Sequence, residues 1–471
     1  MTRNDFRGMK KVPVVCALLL ALSVGAPAQL VELEPFVFPP EDLPLQYNLW
    51  TAEKLAAERG LDREDLRTEL EKRGNTVRDG LIHVEIVGPE GRDALEHEFV
   101  ESFGGVGDTR WRHRLDAWVP VERLSEIARA VPEGYFVERA NPGCPDDVLG
   151  EGPAAITSIS YRNNGAYGQG LTVGVIDSGF IGASAAEANG DLSGYGYVNY
   201  AWGGLEDYST HGTGCAEAMF DHCPGATMWL YRTDSVADLG SAVDHAIDNG
   251  VHVLTHSMSR YNQGWGDNTG DACAAATGAA INEILFFTSA GNRARHHWQG
   301  GYDPGGGSPA IHDWVPGDET IDMVVENGCT IYCYLSWSGD GLYFLDLLDS
   351  SFKRIDSSAG YRFQEINWEN DSGSDQLVHL VVGLGAASST RDEMEVFVHN
   401  FDGACTWQEH YIIAGSTTSP SNCTDSRVIS VGAVDWEDFG SPPGTAGIVK
   451  HYSSRGPSNG GMSLPDIAGP T

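Results

Sequence analysis

The stretch that most constrains this chain is Leu171-Thr-Val-Gly-Val-Ile-Asp-Ser-Gly-Phe180. Leu171 to Ile176 form an apolar run with no charge, which reads as a buried strand. Asp177 ends it, and Ser178-Gly179 open a loop. In open α/β sheets, chemistry collects at the carboxyl ends of strands. An aspartate placed there is a candidate site residue, although a lone one serves as often to cap the next element or satisfy a turn.

The surrounding pattern supplies the sheet. Between Ala154 and Gly300, strand-like runs at Leu171–Ile176, Thr227–Tyr231, Val251–Leu254 and Ile284–Ser289 alternate with helical patterns at His211–Phe220, Ser235–Asn249 and Gly270–Glu283. That alternation predicts an α/β fold with a doubly wound, mostly parallel sheet. After Gly300 the character changes to short runs, Ile321–Val325, Thr330–Trp337, Leu342–Leu348, Val378–Leu384, Glu395–His399 and Tyr411–Ile413. Short strands with polar turns predict a β-sandwich. The buried-strand style returns at Arg427–Val434, so the sandwich is expected as an insertion.

Upstream, Val31 to Asn75 is helical in flavour. Strand Leu81–Val87, helix Arg92–Phe103, strand Trp111–Val119, helix Val121–Val131 and strand Tyr135–Val137 then make most of a ferredoxin-like αβ unit. Asn141 to Asp147 has the composition of an exposed linker. The expected divisions are 1–28, 29–150 (with the αβ unit at about 80–140), 151–300, 301–424 and 425–471.

Charge excludes some partners. The 471 residues carry a formal net charge of −36, which repels nucleic acid and anionic membrane surfaces. Residues 1–28 read as a signal peptide, with Arg3, Arg7, Lys10 and Lys11, an apolar core from Val14 to Val24, and small residues at Ala26-Pro-Ala28. No later stretch is apolar enough to span a bilayer, so a secreted protein without a membrane anchor is expected. Of nine cysteines, Cys16 falls in the targeting segment, and an even set in an exported protein suggests disulfides. Cys405 with Cys423 is one expected pair.

Three further motifs follow Asp177. Ser209-Thr-His-Gly-Thr-Gly214 places His211 at a helix start among small residues. Thr288-Ser-Ala-Gly-Asn292 runs from a strand into a turn ending in an amide, and Tyr452-Ser-Ser-Arg-Gly-Pro457 is a polar loop. Each alone is weak. In this order they resemble the subtilisin-like serine proteases, over about Ile156 to Gly300 and Arg427 to Thr471, and Asp before His before Ser is that family's triad order.

The resemblance implies a secreted serine endopeptidase acting on protein or peptide substrates. His211 would be the general base, Asp177 the residue that orients it, and Asn292 the oxyanion donor. Ser257, Met258 and Ser259 would bind substrate, with Met258 and Ser259 replacing the family's usual Leu and Gly. The αβ unit resembles the family's inhibitory, folding-assisting propeptide, so a zymogen is expected whose own propeptide is its inhibitor. Catalysis would need no cofactor. Structural calcium is common in the family, and the Asp303–Asp318 loop is the candidate to hold it. The nucleophile should lie in Gly-Thr-Ser-x-Ala-x-Pro, and no Gly-Thr-Ser occurs in these residues. Two readings follow: a protease whose serine lies beyond Thr471, or an inactive relative that acts as a binding or chaperone-like protein.

Overall fold

The computed structural model describes residues 39–40, 42–58, 63–73, 75–140, 144–145, 156, 158–304, 311–360, 363–385, 392–400, 409–435 and 449–470. Residues 1–28, expected as a signal peptide, and Cys405 lie outside them.

The first unit contains α1 (Tyr47–Glu58), α2 (Arg63–Lys72), β1 (Val77–Arg78), β2 (Leu81–Val87), α3 (His97–Glu101), β3 (Val106–Trp111), β4 (Arg114–Pro120), α4 (Leu124–Ala130) and β5 (Phe136–Arg139). Its antiparallel sheet runs β5-β2-β4-β3, with β1 also paired to β2. Two sequence expectations are corrected. The helix expected over Arg92–Phe103 is confined to His97–Glu101, because Ala94 N donates to Arg112 O (2.6 Å) and the segment before it is spent as a loop. The single strand expected over Trp111–Val119 is the junction of a hairpin that turns at Arg112, whose φ is 50°.

A short strand, β6 (Cys144–Pro145), and α5 (Ser158–Asn163) lead into the main sheet. That sheet is built from β7 (Thr172–Asp177), β8 (Tyr195–Asn199), β9 (Thr227–Arg232), β10 (Val253–His256), β12 (Leu285–Ser289), β21 (Val428–Val434) and β22 (Ile467–Pro470). All its pairings are parallel, in the order β22-β21-β12-β10-β7-β9-β8. Val173 and Val175 pack against α6 (Ala183–Asn189) and α7 (His211–His222). Ile176, Leu254 and Phe286 pack against α8 (Val236–Asp248) and α9 (Asp271–Ile281). Helices on both faces bury the apolar strands and satisfy the expected α/β arrangement.

α8 starts where its sequence says it should. Ser235 Oγ accepts from Asp238 N at 3.1 Å, and Asp238 Oδ2 accepts from Ser235 N at 3.0 Å, a closed capping box. β22, Ile-Ala-Gly-Pro, carries little sequence signal, whereas β8, Tyr-Gly-Tyr-Val-Asn, holds Tyr195, Tyr197 and Val198 with strand preference and was missed.

A two-residue strand, β11 (Met258–Ser259), follows β10, and the chain then enters the antiparallel region at β13 (His297–Gly301). There, β14 (Ile321–Val325), β15 (Thr330–Trp337), β16 (Tyr343–Asp349), β17 (Arg354–Gly360), β18 (Phe363–Glu369), β19 (Gln376–Leu384) and β20 (Glu393–His399) complete two four-stranded sheets, β13-β20-β15-β18 and β14-β19-β16-β17. Inward residues of both sheets, among them Ile331, Leu335, Leu345, Leu380 and Val396, share one core. The expected strand at Tyr411–Ile413 is not one. Ile412 N donates to His297 O (2.7 Å), and the segment crosses the sheet edge without a ladder.

Candidate active site

Ile176, His256 and Thr288 are in register across β7, β10 and β12. Asp177, Ser257 and Ser289 therefore leave the sheet side by side at its carboxyl edge. The strand order reverses here, because β9 and β10 flank β7 on opposite sides. A doubly wound sheet opens its crevice at such a point.

His211 is the first residue of α7, and its N–H donates to Ser209 Oγ at 3.0 Å. The helix can approach β7 this closely only because residue 212 is glycine. A Cβ there would fall 2.4 Å from Gly179 O and 2.7 Å from the Asp177 Cβ. In that position His211 Nδ1 lies 2.7 Å from Asp177 Oδ2. The other carboxylate oxygen, Oδ1, accepts from Ser178 N at 2.8 Å. Asp177 is fully buried. A carboxylate accepts only, so Nδ1 carries a proton, and in the neutral ring Nε2 holds the lone pair. Burial would lower the His211 pKa, but the Asp177 hydrogen bond outweighs it and holds the imidazole above its ordinary value.

Two residues near this pair were missed from the sequence. Cys215, one helical turn on, places Sγ 3.8 Å from Nδ1 and 4.0 Å from Nε2, against the ring. Its thiol pKa is raised by burial, although His211 pulls it the other way. The spacing of four from His211 is the signal that would have found it. Arg232 ends β9 and is buried, with Nε donating to Ser178 O (3.0 Å) and Nη1 to Trp202 O (2.9 Å) and Gly204 O (2.7 Å). It braces the loop after Asp177, and its one signal was a cation closing an apolar strand.

Asn292 follows Gly291, whose φ of 101° belongs to glycine and turns the chain after β12. Asn292 is half-buried and lines a cleft of about 210 Å³ with Ser257, Ser289, Val431 and Tyr452. Ser257 reaches the Cys215 thiol. Met258 and Ser259 are buried in β11, where Ser259 Oγ accepts from Thr418 Oγ1 at 2.7 Å. The motif residues Asp177, His211, Ser257 and Asn292 thus meet on one edge of one sheet.

Two groups of described side chains bring possible metal ligands within 4.8 Å of one another: Asp177 with His211 and Cys215, and Asp318 with Glu409 and His410. The second lies at the foot of the loop expected to hold calcium, of which residues 305–310 are outside the description. His410 Nε2 is 3.0 Å from Asp318 Oδ2. An imidazole in the set suits a nitrogen- and oxygen-binding ion better than calcium, which prefers oxygen alone. Cys423 sits beside Cys273, its Sγ 3.4 Å from Cys273 O.

No protein-family model matches the chain, and no curated protein matches it. Solved structures do. The CspB protease of Clostridium perfringens is 13% identical, with 68% of this chain and 80% of that one covered and a TM-score of 0.38. The epidermin leader peptide processing serine protease EpiP of Staphylococcus aureus is 10% identical, covering 82% and 74%, with a TM-score of 0.37. The serine protease MycP1, a component of the type VII (ESX-1) secretion system, is 13% identical, covering 68% and 69%, with a TM-score of 0.25.

Proposed function

We propose that this chain carries the acid–base machinery of a secreted, subtilisin-like serine endopeptidase, made as a zymogen. The observation that carries the reading is the 2.7 Å contact of His211 Nδ1 with buried Asp177, at the sheet edge that also bears Asn292. The nucleophile is assigned to a serine in sequence continuing past Thr471. Its hydroxyl is a poor nucleophile until a base takes the proton as it attacks a peptide carbonyl. His211 Nε2 takes that proton, and Asp177 fixes the tautomer and stabilises the imidazolium. The Asn292 amide donates to the oxyanion, and His211 then protonates the leaving amine. This chemistry calls on no cofactor. Residues 1–28 direct export, and the first αβ unit, which packs on α8 and α9, is the inhibitory propeptide. No helix among the described residues is long and apolar enough to cross a membrane.

The test begins with the coding sequence after Thr471. If it supplies Gly-Thr-Ser, a fluorophosphonate probe is expected to label the complete protein, and His211→Ala to abolish labelling. Labelling indifferent to His211→Ala refutes the mechanism. A coding sequence without that segment leaves the binding or chaperone-like reading. The 471 residues alone are expected to show no peptide hydrolysis, since loss of a triad serine costs on the order of 10⁶ in kcat.

A further inference from the structure

Away from the sheet edge, one group of described side chains brings three possible ligand atoms within 4.8 Å of one another: those of Asp318, Glu409 and His410. Asp318 precedes β14, the edge strand of one sheet of the sandwich. Residues 409–412 cross from there to β13, the edge strand of the other sheet. At that end Ile412 N donates to His297 O and Ile412 O accepts from His297 Nδ1, both at 2.7 Å. At the β14 end no ladder holds the strap, and the hydrogen bonds that tie it there run through Glu409 and His410.

The three side chains are held so that one atom of each is left for an ion. His410 Nε2 faces Asp318 Oδ2 at 3.0 Å. The second Asp318 oxygen, Oδ1, accepts from Thr320 N at 3.2 Å. Glu409 Oε2 accepts from Asp322 N at 3.3 Å, which leaves Oε1 as its ligand atom. Asp322 is spent in a supporting role: its Oδ1 accepts from Thr320 Oγ1 (2.9 Å) and from Nδ1 of buried His379 (2.5 Å). Such outer hydrogen bonds orient metal ligands. The charge also asks for a cation. Among the described residues, no Lys or Arg pairs with Asp318, Asp322 or Glu409, and the only ion-pair partners of these carboxylates are two imidazoles. The donor set, one nitrogen and two oxygens without a thiolate, narrows the ion. Calcium and magnesium take oxygen. Imidazole with carboxylates suits zinc and its first-row neighbours, and a zinc ion with three protein ligands completes its tetrahedron with water.

We propose that Asp318 Oδ2, Glu409 Oε1 and His410 Nε2 bind one divalent transition-metal ion of the zinc class, and that this ion fastens the strap to the sandwich. On binding, the ion takes the place of the proton between His410 Nε2 and Asp318, and both carboxylates stay ionised. The strap leads on toward the cleft. Beyond Ile412, Ser416 N donates to Arg455 O at 2.9 Å, and Thr418 Oγ1 donates to Ser259 Oγ at 2.7 Å. The ion therefore anchors the far end of a segment whose near end braces Ser259 and the Ser-Ser-Arg-Gly-Pro loop. This site stands apart from the protease reading.

The experiment titrates the full chain, stripped with a chelator, with cobalt and then zinc. Cobalt is expected to give a visible spectrum without a thiolate charge-transfer band, and zinc to displace it. Glu409→Gln and His410→Ala should each weaken zinc binding by roughly tenfold or more, since loss of even an outer partner of a metal ligand costs that much. Glu409 is exposed, so Glu409→Gln tests the site without disturbing the core. Zinc should raise the melting temperature of the unaltered chain and leave that of Glu409→Gln where it was. Cys215→Ala removes the rival group of Asp177, His211 and Cys215, and should keep the zinc. Zinc held equally by Glu409→Gln, zinc lost in Cys215→Ala, or zinc displaced by equimolar calcium overturns the proposal. So does a chain that takes up no zinc at millimolar concentration.

Discussion

The Asp177–His211 hydrogen bond places a proton on Nδ1 and raises the proton affinity of the imidazole proposed as the base. On the proposed reading, Asp177→Asn in the complete protein keeps the shape but leaves one accepting oxygen for both Ser178 N and His211 Nδ1. With that oxygen held by Ser178 N, the amide NH2 faces Nδ1 and forces the other tautomer, so kcat should fall by about 10⁴. The imidazole must be neutral to act, so activity rises with pH through the His211 pKa. Because Asp177 raises that pKa, the acid limb of the kcat/KM profile should move to lower pH in Asp177→Asn. A limb that stays in place would assign it to another group. Asn292→Ala should cost on the order of 10² to 10³ in kcat with little change in KM. These residue types were legible because Asp177 ends a strand, His211 opens a helix and Asn292 closes a turn, each among small neighbours. Arg232 was not, because its partners are the carbonyls of Ser178, Trp202 and Gly204, which no local pattern announces.

At the scale of elements, the approach of α7 to β7 is what turns two distant motifs into one site. Gly212→Ala would place a methyl against Gly179 O and the Asp177 Cβ, an overpacking worth roughly 1 to 3 kcal/mol. Thermal unfolding should register that loss, and activity should fall further than stability as His211 is pushed from Asp177. A variant with normal melting and normal activity would show that the helix has room to shift. Local sequence was a sound guide where caps and apolar runs coincide: the helix read at Ser235–Asn249 is Val236–Asp248, with Ser235 and Asn249 as its caps. It failed at Arg92–Phe103, where a backbone bond to Arg112 withdrew the first residues from the helix.

At the scale of the molecule, the first unit is held to the main sheet by a buried charged seam. Glu85 Oε1 accepts from Ala237 N (3.2 Å) at the start of α8, and Arg114 bonds Glu85 (2.9 Å), Glu138 (3.2 Å) and Asp271 (2.5 Å). Trp111 Nε1 donates to Asp244 at 3.0 Å. Burial raises Glu85 to about 7 although Arg114 opposes it, and burial with Asp116 nearby raises Asp238 to about 7. Burial alone would lower His83, but Asp116 overrides it and lifts the imidazole to about 9. All three hold a proton in the fold at a pH where the unfolded chain has released it. The stability they lend is therefore present in acid and lost as pH rises, for the carboxyls from about 4 to 7 and for His83 from about 6.5 to 9. Asp271, pulled down by His113 and Arg114 despite burial, acts oppositely and only in strong acid. Limited proteolysis of the full chain should find residues 42–140 better protected at pH 5 than at pH 8. Glu85→Gln should flatten the dependence between pH 4.5 and 7 by up to roughly 3 kcal/mol; an unchanged slope would remove Glu85 as its source.

The sequence by itself determined the strand from Leu171 to Asp177, the helices that cover it, and the identity of the residues at their ends, because apolar periodicity and capping act within a few positions of the chain. Only the tertiary structure decided that Asp177 touches His211, that Cys144–Pro145 lies on Met258–Ser259, and that Arg114 meets Asp271. Those contacts join residues 34, 113 or 115, and 157 positions apart. Their geometry depends on which helix can sit close to which strand, and that was decided by a missing Cβ at Gly212 and by charges that burial forced to find one another.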